Sequence, residues 1–272
     1  MSLQARGRTA AAAIAYAAYM SHDRRSDYHR SSRTWARPGA LRAVGLALAL
    51  VVAPAALAAE PTTSPATTPE QAGLVDVHTL APDIAMDIRY AGHDNFTGGP
   101  VPGYDAPKCY LLAPVAKALA QVQRDLQAKG YRLQVFDCYR PQRSVRAFVA
   151  WARDPQDQVA KARYYPKLDK GVLLGDYIAE HSGHSRGATV DLGLLDCRQG
   201  ACRALDMGTG FDFFDLSAHT DTPAIDATQR AHRQQLLKAM AVRGFVNYPM
   251  EWWHYTFQPE PSPGVAFDVP VR

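Results

Sequence analysis

Residues 188–195, ATVDLGLL, place a carboxylate inside an apolar run that reads as a short strand. An unpartnered carboxylate in such a strand is costly to bury. Any fold of this chain must therefore bring Asp191 hydrogen-bond donors, an arginine or a metal ion. Just upstream, Ser182-Gly183-His184-Ser185-Arg186-Gly187 reads as an irregular loop, because two glycines punctuate it. His184 and Asp191 have opposite strand parity, so they converge only if His184 lies in that loop. Two readings stay open at this point: a buried hydrogen bond or arginine pair, and a metal site.

The surrounding pattern predicts the architecture. Residues 112–129 have helical composition, and Gly130 stops them before an alternating strand over 131–138. A second helix is expected over 141–153, with Pro141 at its first position and Val145, Phe148, Val149 and Ala152 on one face. A third is expected over 227–243, ended by Gly244, with strands over 245–248 and 252–257. Helices and strands do not alternate regularly and the late pairings look antiparallel. The expectation is an α+β fold with a central, mainly antiparallel sheet and packed helices.

An 18-residue helix advances about 27 Å and eight strand residues return about 26 Å. Cys138 should thus come back near Cys109, while Cys197 and Cys202 flank the short loop Arg-Gln-Gly-Ala. Disulfides Cys109–Cys138 and Cys197–Cys202 are expected. The rival, a four-thiolate zinc site, wants close Cys-x-x-Cys pairs that these spacings do not offer.

The net charge of +4 suggests a nucleic-acid partner until it is divided along the chain. Residues 1–58 hold eight of the 30 Lys and Arg but only two of the 26 acids, leaving 22 bases against 24 acids. Nucleic acid is therefore excluded as a partner. Arg37 and Arg42 precede an apolar run over 43–57 that Pro54 breaks, with small residues at 56–58. That run is about 15 residues where a membrane crossing needs roughly 20. Residues 1–58 are expected to be an N-terminal extension and secretory signal, which implies a periplasmic protein with no stable membrane insertion after cleavage. Residues 59–73, rich in Pro and Thr, read as a linker and tether, and 74–272 as one domain.

Two further segments carry residues of a catalytic kind. Glu251-Trp252-Trp253-His254-Tyr255 follows Pro249, and a bend at Glu251 would let Glu251 and His254 be used together. Asp137-Cys138-Tyr139-Arg140-Pro141 puts an arginine where strand gives way to helix. Alone, each is compatible with core packing or a surface ion pair. Together, two histidines and one carboxylate compose an open three-ligand zinc site. Glu251 then serves as general base and Arg140 as a fixed charge for an oxyanion, which describes amide hydrolysis.

These segments resemble the zinc D-alanyl-D-alanine dipeptidases over almost the whole expected domain. The resemblance extends to Asp94-Asn95-Phe96-Thr97-Gly98, Leu205-Asp206-Met207-Gly208-Thr209-Gly210-Phe211-Asp212 and the terminal Phe267-Asp268-Val269-Pro270-Val271-Arg272. It implies one zinc per chain on His184, Asp191 and His254, with Glu251 as base and Arg140 as transition-state stabiliser. It further implies that Asp212 takes the substrate ammonium and that Tyr90, Asp137 and Ser182 shape a pocket for D-Ala-D-Ala. Gly183 departs from the serine of the resistance members. His78, His93, His181, His219 and His232 match no ligand position, His181 being the closest decoy. The rival functions are a D,D- or L,D-carboxypeptidase acting on peptidoglycan stem peptides and a non-catalytic zinc-binding module of the same fold.

Overall fold

The computed structural model describes residues 61–272, so the extension and signal expected over 1–58 lie outside the described residues. The chain enters as β1 (Thr62–Thr63), laid parallel on β10 (Val265–Ala266) through Thr62 N–H to Gly264 O and Ser64 N–H to Ala266 O. Pro69 and Ala72 are buried beyond it. The Pro/Thr segment from residue 61 onward is therefore docked on the domain, which corrects the expected free tether. Its threonine and serine backbone groups find ladder partners that the composition alone does not reveal.

Next, β2 (Leu74–Asp76) pairs antiparallel with β4 (Tyr110–Leu112). The central sheet has the order β3 (Ala85–Met86), β5 (Tyr131–Asp137), β6 (Thr189–Asp196), β9 (His254–Phe257) and β8 (Phe245–Asn247), with β7 (Arg203–Ala204) beside the end of β6. All its pairings are antiparallel except β3 with β5. The sheet is mixed for a simple reason: between β3 and β5 the chain makes a long crossover that includes a helix, as a parallel pair requires. A two-residue strand such as β3 is too short to show a periodicity.

That crossover helix, α1 (Ala113–Gln127), buries Val115, Leu119, Val122 and Leu126 at helical spacing, with a proline in its first turn. Its buried Gln123 accepts the Leu133 N–H at 2.9 Å, tying helix to strand. Gly130, at φ 79°, turns the chain between them. α2 (Gln142–Arg153) starts one residue later than expected, with Pro141 as its cap. The short α3 (Lys161–Tyr164) lies in the following loop. α4 (Ala227–Ala241) opens with a capping box between Asp226 and Gln229. β9 begins at His254, two residues after the expected start, because residues 251–253 turn.

Both disulfides form as the spacing predicts, Cys109–Cys138 and Cys197–Cys202. The first is fully buried where β5 ends. Tyr139 follows it, and its hydroxyl both accepts from the Val269 N–H at 2.7 Å and donates to the Val269 carbonyl at 2.9 Å. The terminal segment thus braces the junction that carries Arg140.

Candidate metal centre

Strand register puts three functional side chains in one row. Asp137 pairs with Asp191 across β5 and β6, after an irregularity between Val135 and Asp137, and Asp191 pairs with His254 across β6 and β9. His184 joins them from outside the sheet, in a 3-10 turn over Gly183–Arg186 that precedes β6. Gly187 ends that turn at φ 68°, where a Cβ would come within 2.8 Å of Leu74, so glycine is required. At Gly183 a Cβ would meet Thr189 Oγ1 at 2.9 Å, so any side chain there would force Thr189 to shift.

One ligand atom each from His184, Asp191 and His254 lies within 4.8 Å of the others. His184 Nδ1 is 2.6 Å from the Cys138 carbonyl oxygen. A carbonyl only accepts, so Nδ1 carries the proton and Nε2 keeps its lone pair. That Nε2 faces Asp191 Oδ2 at 3.2 Å and His254 Nδ1 at 3.3 Å. Asp191 Oδ1 is 3.0 Å from His254 Nδ1 but out of line for a hydrogen bond, and it has no hydrogen-bond partner. Electron pairs converging on one buried point, with an orphaned carboxylate oxygen among them, are the donor set of a divalent cation. The residues fit an N,N,O metal site that leaves a coordination position open.

Burial opposes ionisation of Asp191, yet the neighbouring His184 and His254 hold its carboxyl well below the ordinary range. His254 is pushed down, chiefly by burial. Glu251 stands 3.5 Å from His254 Nδ1, in the turn before β9. Burial first, then the charges of Asp191 and Asp212, raise the Glu251 carboxyl well above its usual value.

Arg140 is gripped by Asp137 Oδ2, at 2.9 Å from Nε and 2.8 Å from a terminal nitrogen, and reaches Asp191 Oδ2 at 3.6 Å. Its guanidinium lies over the rings of Tyr90 and Phe148, near 5 Å from each centroid. The Tyr104 hydroxyl donates to the other Asp137 oxygen at 2.6 Å. Two backbone ties join this junction to the histidine turn: the Arg140 N–H to His184 O, and Ser185 Oγ to Arg140 O at 2.8 Å.

Tyr90 donates to Asp212 Oδ2 at 2.8 Å. Asp212 is buried and is the one non-glycine among the described residues at positive φ, 58°. A strained aspartate held in place by its surroundings is a mark of a working site. Burial, and then the Asp191 charge, raise its carboxyl well above the ordinary value.

A cavity of about 190 Å³ unites these groups, smaller than the roughly 300 Å³ at which drug-sized sites begin. Tyr90, Arg140, Ser182, His184, Asp191, Asp212, Glu251 and His254 all line it. Asp137 does not. It is fully buried behind Arg140 and lies 3.4 Å from His184 Nδ1, so it acts on the cavity through those two side chains. Ser182 spends its hydroxyl accepting the His184 N–H at 3.3 Å. His181 lines the rim, exposed and outside the three-residue cluster. Sequence reasoning missed Tyr104 and the rim residues Asp176, Tyr177 and Tyr248, which sit in loops without local signal.

An α+β domain presenting two histidines and an aspartate around an open position, with a buried glutamate beside them, has the make-up of a metallopeptidase. The comparisons with known proteins narrow this. Residues 70–272 match the Peptidase_M15 model, described as D-ala-D-ala dipeptidase, and the chain belongs to that family. A D-alanyl-D-alanine dipeptidase of Streptomyces coelicolor is 41% identical over 196 residues, 72% of this chain and 96% of that one. One from Enterococcus faecium is 35% identical over 201 residues, 74% of this chain and 98% of that one. A solved structure, vancomycin resistance D,D-dipeptidase VanXYg with a D-Ala-D-Ala phosphinate analog, is 18% identical. It covers 69% of this chain and 67% of its own at a TM-score of 0.31, too low to place any residue here.

Proposed function

We propose that this chain hydrolyses free D-alanyl-D-alanine to two D-alanines, using one zinc held by His184, Asp191 and His254. The observation that carries the reading is the convergence of the His184 Nε2 lone pair, the Asp191 oxygens and His254 Nδ1 in the cavity that also holds Glu251, Arg140 and Asp212. Zinc supplies, when bound, Lewis acidity and a water that ionises near neutral pH.

This chain's own residues do the rest. Asp212, oriented by the Tyr90 hydroxyl, receives the substrate ammonium and orients the dipeptide. Glu251, in the turn before β9 and beside the histidine ligand, takes a proton from the attacking water and hands it to the leaving amine. Arg140, already locked by Asp137 and stacked on two rings, offers a fixed positive charge to the oxyanion without reorganising.

The compartment is part of the proposal. Two disulfides suit an oxidising environment, in keeping with the signal read in residues 1–58 and with a periplasmic role in cell-wall dipeptide turnover. No helix among the described residues is long and apolar enough to cross a membrane.

The test is alanine release by zinc-loaded protein from D-Ala-D-Ala, L-Ala-L-Ala and a stem pentapeptide, with Glu251→Ala as control. Release from the D,D-dipeptide alone, lost in the control, is expected. Cleavage of the pentapeptide instead would make the protein a wall-trimming carboxypeptidase, and silence on all three would leave a zinc-binding module.

A further inference from the structure

Arg233, on α4, is a buried charge with no charged partner. Its side chain is 1% exposed and makes no ion pair among the described residues. All three nitrogens of the guanidinium donate to backbone instead: Nε to Met207 O at 2.7 Å, one terminal nitrogen to His219 O at 2.6 Å and the other to Ser217 O at 3.0 Å. Burying a guanidinium this way is expensive, and a methionine would fill a helix face at less cost. The fold keeps the arginine where its fork reaches three carbonyls at once.

Those carbonyls belong to one loop, and they bracket Asp212. Met207 lies before it, Ser217 and His219 after it, and Asp212 sits at the left-handed turn between. The same loop supports the segment that carries Glu251. The Trp252 N–H donates to Ala218 O at 3.1 Å and its indole N–H to Thr209 Oγ1 at 2.9 Å, while the Arg233 guanidinium lies 6.0 Å from the Trp252 ring centroid. Gly208, at φ 85°, and Gly210 leave the loop little stiffness of its own. Its geometry is therefore imposed from beneath.

We propose that Arg233 is a positioning residue of this site, closing the loop around Asp212 from both ends and so setting the preference for a free amino terminus. The inference rests on the dipeptidase reading above, in which Asp212 meets the substrate ammonium. Arg233 does not touch the cavity and takes no part in the bond cleavage.

The experiment compares kcat and KM for D-Ala-D-Ala and for N-acetyl-D-Ala-D-Ala in the wild-type chain, Arg233→Lys, Asp212→Asn and the double variant, all zinc-loaded. Zinc stoichiometry and a thermal melt report whether each is folded. Arg233→Lys is expected to bind zinc one to one, to raise KM for the free dipeptide by about tenfold with a smaller change in kcat, and to narrow the gap between the two substrates. The double variant is expected to match Asp212→Asn, because a residue that acts through Asp212 has nothing left to lose once Asp212 is gone. Additive losses, or an unchanged ratio between the substrates in a folded Arg233→Lys, would overturn the proposal. Arg233→Gln, which keeps a shorter donor, is the second variant. If neither folds or holds zinc, Arg233 belongs to the fold and the proposal falls. A wild-type protein that cleaves neither substrate fails the dipeptidase reading itself, an outcome distinct from any of these.

Discussion

His184 Nδ1 meets the carbonyl oxygen of Cys138 at 2.6 Å, and Cys138 is tied to Cys109 by a disulfide buried beneath the sheet end. One covalent link thus holds the acceptor that decides which histidine nitrogen faces Asp191. The double replacement Cys109→Ser with Cys138→Ser is expected to cost about 2–4 kcal/mol of stability. It is also expected to weaken zinc binding about 10–100-fold, because the orientation of a ligand histidine depends on its outer partner. Chelator competition at a temperature where the variant stays folded separates the two effects; unchanged zinc affinity would detach the disulfide from the metal site.

Glu251 is the base in this reading and not a ligand. Glu251→Gln is expected to retain one zinc per chain while kcat falls on the order of 10²–10⁴-fold. Metal analysis of the purified variant beside its turnover decides the matter, and loss of zinc would move Glu251 into the ligand set.

Arg140 is held ready by Asp137, whose other oxygen is held by Tyr104. Arg140→Ala is expected to lower kcat about 10²–10³-fold with zinc retained. Tyr104→Phe, which only loosens Asp137, is expected to cost about tenfold or less. Equal losses in the two variants would contradict the ordering from Tyr104 through Asp137 to Arg140.

Asp212 gives the metal-free protein a pH dependence of known sign. Burial, then the Asp191 charge, raise its folded pKa above the value near 3.9 of an unfolded aspartate. Its contribution to stability is therefore full below about pH 4 and is lost as pH rises through the raised folded value. Asp212→Asn lacks that loss. Urea midpoints of the metal-free variant should exceed those of wild type by a margin that widens from pH 4 to pH 8, and parallel profiles would refute the assignment.

The docked entry segment makes truncation measurable. A chain beginning at residue 67 loses the Thr62 and Ser64 backbone bonds to the β10 region, each worth about 0.5–1.5 kcal/mol. It is expected to melt a few degrees below a chain beginning at residue 61. Identical melting curves would return residues 61–66 to the status of a tether.

What the sequence made legible was whatever depends on near neighbours. The helical composition of residues 112–129, the stop at Gly130 and the apolar run around Asp191 are all local signals, and the structure reproduces them within two residues at each end. The parity argument at His184 worked for the same reason, since a strand's alternation is a property of its own backbone. β1 and β3 left no trace, because two residues cannot show a period and their pairing partners lie far along the chain. Tyr104 and Arg233 were equally silent. One donates to a carboxylate 33 residues away, the other to carbonyls in a loop 14 to 26 residues upstream, and neither belongs to any motif.

The ladder between β1 and β10 also has a mechanical meaning. Its bonds from Thr62 and Ser64 clamp the entering segment onto the stretch that runs from Gly264 to Ala266. Beyond this ladder lies Phe267, whose N–H is bound to the Ser185 carbonyl at 2.8 Å, one residue from His184. The two-residue strand thus steadies, at one remove, the turn that aims the histidine.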